Sequence, residues 1–74
     1  MEETKNIRDT VAKAVVSRRN EIELEQETLC DYTDMSITTL SNLENSKANI
    51  TIDKLGAILE TLGLEISINV KKTV

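Results

Sequence analysis

Side chains able to make or break covalent bonds are scarce in this chain. It has no histidine and one cysteine, Cys30, so a neutral-pH proton shuttle and an activated nucleophile are both missing. A disulfide and a structural zinc site lack their ligands for the same reason, and neither metal nor cofactor is expected. What recurs is small, uncharged chemistry: the hydrogen-bonding Ser36, Thr38, Ser41, Asn42 and Asn45, with Ile37, fall within residues 36–45. With Leu40 and Leu43 turned inward at helical spacing, Ile37, Thr38, Ser41, Asn42 and Asn45 occupy the opposite side, and Ser36 lies at its exposed N-terminal end. Such a surface suits base edges in a major groove about 12 Å wide. Asparagine bonds adenine through two atoms, Ile37 and the Thr38 methyl fit thymine methyls, and Ser36 and Ser41 suit a base or a phosphate. The expectation is binding, not catalysis.

The elements that must hold this face are legible from apolar spacing. Over residues 5–20, Ile7, Val11, Ala14 and Val15 share one side of a first helix. A break at 22–24 leads into a short second helix, 26–32, with Leu29 and Cys30 inward. Asp34 is the expected corner residue, because aspartate tolerates positive φ better than most. Ser36 is then the N-cap of a third helix ending near Glu44. Thr51 caps a fourth, with stripe Leu55, Ile58, Leu59 and Leu62 and with Gly63 as its stop. Beyond Gly63 the period falls to two: Leu64, Ile66, Ile68 and Val70 alternate with Glu65, Ser67, Asn69 and Lys71. That pattern predicts a half-buried strand over 64–70 with no second strand in its own chain.

Length and charge bound the rest. A chain of 74 residues, with no proline and two glycines, has room for one core and no linker. Residues 1–63 are expected to form that domain and 64–74 a dimerising strand and tail. Only about 60% of the unfolded surface is hidden at this size, so a partner subunit is the simplest supplement to stability. No apolar run approaches the roughly 18 residues that span a bilayer, and a cytoplasmic protein without membrane contact is expected. The net charge of −4 has the wrong sign for a simple phosphate binder. The deficit is local, however. Glu21, Glu23, Glu25, Glu27, Asp31 and Asp34 occupy 21–34 without one basic residue, whereas 1–20 is mildly basic through Lys5, Arg8, Lys13, Arg18 and Arg19. Cys30 reads as a small buried hydrophobe and Tyr32 as a core-edge aromatic.

Two short helices joined over residues 33–35 and clamped by flanking helices match helix-turn-helix geometry. Together with Arg18-Arg19, Gln26-Glu27 before Leu29, Ser36 to Leu40, Leu43-Glu44-Asn45 with Lys47, and Leu55 through Gly63, the chain resembles the Xre family of prokaryotic repressors. The resemblance covers about residues 7–63. It implies an all-α, four-helix, lambda-repressor-like domain whose third helix reads double-stranded DNA. It further implies that Gln26 holds a phosphate, that Asn45 and Lys47 meet the DNA backbone, and that Arg19 and Glu44 form a buried ion pair. If Arg19 is so engaged, Arg18, Lys13 and Lys47 are the cations nearest phosphate.

Departures from the family pattern are Asp34 and Ser46 where glycine is frequent, Ile50 for a frequent proline, and Ile37 and Asn42 where arginine or glutamine is common. Fewer cations mean weaker binding per subunit, so a homodimer on two half-sites of a palindromic operator is expected. The strand, through Leu64, Ile66, Ile68 and Val70, would pair with its twin across the two-fold axis. The same resemblance supplies an alternative, a HipB-type antitoxin that binds a toxin protein and represses its own operon. A second alternative is a protein-interaction module that has lost DNA binding, which the acidic 21–34 stretch keeps open.

Overall fold

The computed structural model describes residues 2–71, with side chains from Ile7 onward. Met1 and residues 72–74, the end of the expected tail, lie outside it. Four helices follow in order: α1 Glu2–Glu21, α2 Gln26–Thr33, α3 Ile37–Glu44 and α4 Ile52–Thr61. Helix α1 packs on α3, α3 on α2 and α2 on α4, around Ala12, Val15, Leu29, Cys30, Leu40, Leu43, Ile58, Leu59 and Leu62. Every helix contributes at least one of these residues, so none can leave without exposing the others' apolar sides.

Each helix ends in the same way. A residue with positive φ follows the last turn: Glu23 (φ 56°), Asp34 (53°), Ser46 (63°) and Gly63 (73°). The next residue's N–H reaches back five positions: Leu24 to Arg19 O at 2.8 Å, Met35 to Cys30 O at 3.1 Å, Lys47 to Asn42 O at 2.8 Å and Leu64 to Leu59 O at 2.8 Å. This is the Schellman arrangement, which satisfies otherwise orphaned carbonyls and reverses the chain sharply. Three of the four left-handed positions carry a side chain, at a conformational cost that glycine avoids. The residue after the corner is usually apolar in this motif and packs back on the helix. Leu24, Met35 and Leu64 do so here, all against the core. The exception is Lys47.

The starts of α3 and α4 are capped as the sequence predicts: Ser36 Oγ accepts the Thr39 N–H at 3.1 Å, and Thr51 Oγ1 accepts the Lys54 N–H at 3.2 Å. Two expectations fail. Ile7 is exposed, because α1, about 30 Å long, outruns the core, and its stripe first meets other helices at Val11. The strand over 64–70 is not formed: among the described residues there is no strand, and 64–71 is irregular. Leu64 packs against the core, but Ile66, Ile68 and Val70 are 63%, 91% and 95% exposed. Strand structure requires a ladder partner, and four helices offer none.

Candidate nucleic-acid interface

The α2–α3 unit is fastened to α1 through one polar cluster. Arg19 on α1 forks onto Glu44 at the end of α3, with Nε to Oε2 at 2.8 Å and Nη2 to Oε1 at 3.0 Å; its Nη1 donates to Leu24 O at 3.0 Å. Gln26 Nε2, at the start of α2, donates to the same Oε1 at 3.0 Å. The two charged side chains are only 15% and 8% exposed, so geometry decides whether their desolvation is compensated. Here Glu44 accepts three N–H groups and Arg19 donates three bonds, and no buried side-chain polar atom among the described residues lacks a partner. The hydrogen bond from Arg19 to Glu44 holds the guanidinium pKa above its ordinary value, against burial, which lowers it. The cluster sets the position of both ends of the helical pair.

With that side locked, α3 presents its other side to solvent. Ile37, Thr38, Asn42 and Asn45 are exposed and Ser41 is half-buried, as their spacing predicts. Ser36 is exposed too, but its hydroxyl is engaged: besides accepting the Thr39 N–H, it donates to Thr39 Oγ1 at 2.9 Å. Asn45 Nδ2 donates to Ser41 O at 2.8 Å, which leaves the amide oxygen and one N–H of Asn45 for a ligand. Lys47 is exposed beside Asn42, and the two help line a small hollow of about 180 Å³ with Thr39, Ala48 and Asn49. Thr39 is a participant that the sequence reading missed; its signal was its place three residues after the capping serine. The face as a whole offers hydroxyl, amide and methyl groups with one ammonium at its edge.

Gln26 stands at the start of α2, where the sequence places it. Its amide also faces Glu44, so it is a member of the ion-pair cluster, half-buried, with one N–H and its carbonyl remaining. Arg18 is engaged within the protein as well. Its Nε donates to Leu62 O at 2.8 Å, closing the C-terminus of α4, and its Nη1 pairs with Glu21 at 3.2 Å. Cations at that end of a helix are favourable because of the helix dipole. Tyr32, expected at the core edge, is 71% exposed on α2. All six acids of 21–34 are exposed. Cys30 is buried, which pushes its thiol pKa up; Asp31, Glu44 and Glu27 add to the shift. It serves as packing.

No group of metal-ligating side chains is present among the described residues, and none of their helices is long and apolar enough to cross a membrane. Compared with known families, a model described as helix-turn-helix matches residues 16–69, more than half of the chain. No curated protein and no solved structure matches.

Proposed function

Because the chain belongs to the helix-turn-helix family, as an Xre-type DNA-binding regulator with no enzymatic role, we propose that it is a sequence-specific repressor acting in the cytoplasm as a homodimer on a palindromic operator. The observation that carries this is the outward side of α3: Ile37, Thr38 and Asn42 are exposed, uncharged and mounted on a helix whose other side is buried. Asn42 reads adenine, Ile37 and Thr38 pack on thymine methyls, and Ser36 and Ser41 face the nearest phosphate or base. Asn45 and Lys47 hold the backbone on the loop side. Gln26 keeps one N–H for a phosphate at the other end.

The dimer rests on the segment after α4. Ile66 and Ile68, with Ile52, Leu55, Gly56 and Leu59, line an apolar hollow of about 200 Å³. Antiparallel pairing of two tails through Leu64, Ile66, Ile68 and Val70 would supply the ladder that one chain lacks and cover this apolar surface. An antitoxin that also restrains a toxin protein is the second reading; the exposed acids of 21–34 around Tyr32 favour it.

Selection of bound duplexes from a randomised pool at low ionic strength tests the proposal. An enriched palindrome with two half-sites is expected. Folded protein that enriches no sequence overturns it.

A further inference from the structure

We infer that α1, upstream of the family match, carries a second phosphate-binding strip, Arg8 and Lys13, which with Lys47 holds duplex backbone outside the base pairs read by α3. This rests on the DNA-binding reading above. The first support is where the cations go. Arg19 is buried onto Glu44 and Leu24 O, and Arg18 is engaged by Leu62 O and by its surface ion pair with Glu21. Arg8, Lys13 and Lys47 are exposed, and none has an ion-pair partner among the described residues.

The second support is that these three cations meet around one loop. Arg8 Nε donates to Ala48 O at 3.2 Å in an exposed contact, which ties the guanidinium to the segment after α3. Lys13 lines an open groove of about 510 Å³ with Ser17, Glu44, Asn45 and Ser46. Lys47 borders the second hollow, which shares that loop through Ala48 and Asn49. The carboxylate nearest Lys13 in that groove, Glu44, is already occupied by Arg19 and Gln26 and offers little neutralisation. Asp9, one turn before Lys13, is not within ion-pair distance of it.

A third support is Lys47 itself. At three helix ends the residue after the left-handed corner is apolar and packs on the core; at the end of α3 it is a lysine in solvent. That corner gives up a packing contact and displays a charge. The molecule is thereby polarised. Its six clustered acids lie on 21–34, while an exposed cationic edge follows α1 and the loop. A polyanion with regular charge spacing, the backbone of double-stranded DNA, is the partner that such an edge fits. Both Arg8 and Lys13 precede residue 16, where the family match begins, so the strip belongs to this chain's long first helix.

Three variants test it on the selected operator, in duplexes with and without flanking base pairs: Arg8→Gln with Lys13→Gln, Lys13→Gln alone, and Lys47→Gln. Each lost phosphate contact should lower the slope of log affinity against log salt by about 0.9, so the loss between 50 and 200 mM salt becomes about 3.5-fold smaller. Slopes lower by about two units for the double variant and one for Lys13→Gln are expected on the long duplex, with base preference unchanged. On the trimmed duplex the double variant should match the wild-type protein. The single variant leaves the Arg8–Ala48 bond in place, so its lower slope cannot come from a distorted loop. Wild-type slopes in both α1 variants, with sequence-specific binding intact, overturn the strip and leave the reading face standing. If the wild-type protein selects no duplex, both fall.

Discussion

On α3, Ile37, Thr38 and Asn42 are exposed while Leu40 and Leu43, on the same helix, are buried and Glu44 is pinned by Arg19 and Gln26. In the segment after α4, Ile66, Ile68 and Val70 are exposed, and the backbone of residues 65–70 makes no backbone–backbone hydrogen bond among the described residues. Both regions present side chains to solvent, but the first does so from a helix fixed on the core and the second from a backbone without a ladder over 65–70. A rigid mount suits recognition that depends on placement to within a fraction of an ångström, as base readout does. Unpaired backbone bearing alternate apolar residues suits a partner that supplies the missing ladder. The two regions are therefore expected to respond differently to substitution, and that contrast can be broken.

The largest effect is expected at the mount. Glu44→Ala strands the Arg19 guanidinium, only 15% exposed, and removes the acceptor for Gln26. Leaving a buried charge unpaired should cost about 3 kcal/mol, which for a domain of this size lowers the thermal midpoint by roughly 12–24 °C. Calorimetry or a dichroism melt measures it. A midpoint within a degree of wild type would mean that the core alone positions α3, and the contrast drawn above would lose its basis.

Asn42→Ala comes next and acts on the face without touching the mount. Operator affinity should fall by about 1–3 kcal/mol, with relaxed preference at one base pair, while stability stays within about 0.5 kcal/mol. Repeating the duplex selection with the variant reads both. An unchanged preference would move base reading away from Asn42, toward Thr38 or the Thr39 hollow.

How much of this was readable beforehand depends on whether the governing contact is local. The four helices, the Ser36 and Thr51 caps, the corner at Asp34 and the stop at Gly63 follow from residues within a turn of one another, and each was legible in the spacing. The Arg19–Glu44 pair came from family resemblance and is present in the structure. Long-range geometry was not legible. Nothing near Arg18 says that it will close the end of α4, because Leu62 O is 44 residues away. Ile7 looked like part of a stripe because periodicity does not reveal where a core stops. Glu23 and Ser46 adopt positive φ without being glycine, since their corners are set by the Schellman hydrogen bonds and not by residue preference. On the face itself, position was predicted well, but the side-chain bonds of Asn45 and Gln26, and the one that Ser36 donates to Thr39 Oγ1, were not. The tail misled for a different reason. An alternating pattern records which sides of a strand differ in polarity, and it is silent on whether a partner strand exists.

The smallest effect on the fold is expected in that tail. Ile66→Lys with Ile68→Lys replaces two side chains already 63% and 91% exposed, so the isolated domain should lose less than about 0.5 kcal/mol. If two tails pair, the same change puts two ammonium groups per chain into an apolar interface, and burying unpaired charges is far more costly than exposing isoleucine. Sedimentation should then show dimer for the wild-type protein and monomer for the variant at the same concentration, with nearly equal helical content. Operator binding should weaken and lose its dependence on half-site spacing, since each monomer would engage one half-site alone. A variant that remains dimeric would place the interface elsewhere and leave the alternation after Gly63 without a function. A wild-type protein that is itself monomeric would remove the homodimer from the proposal.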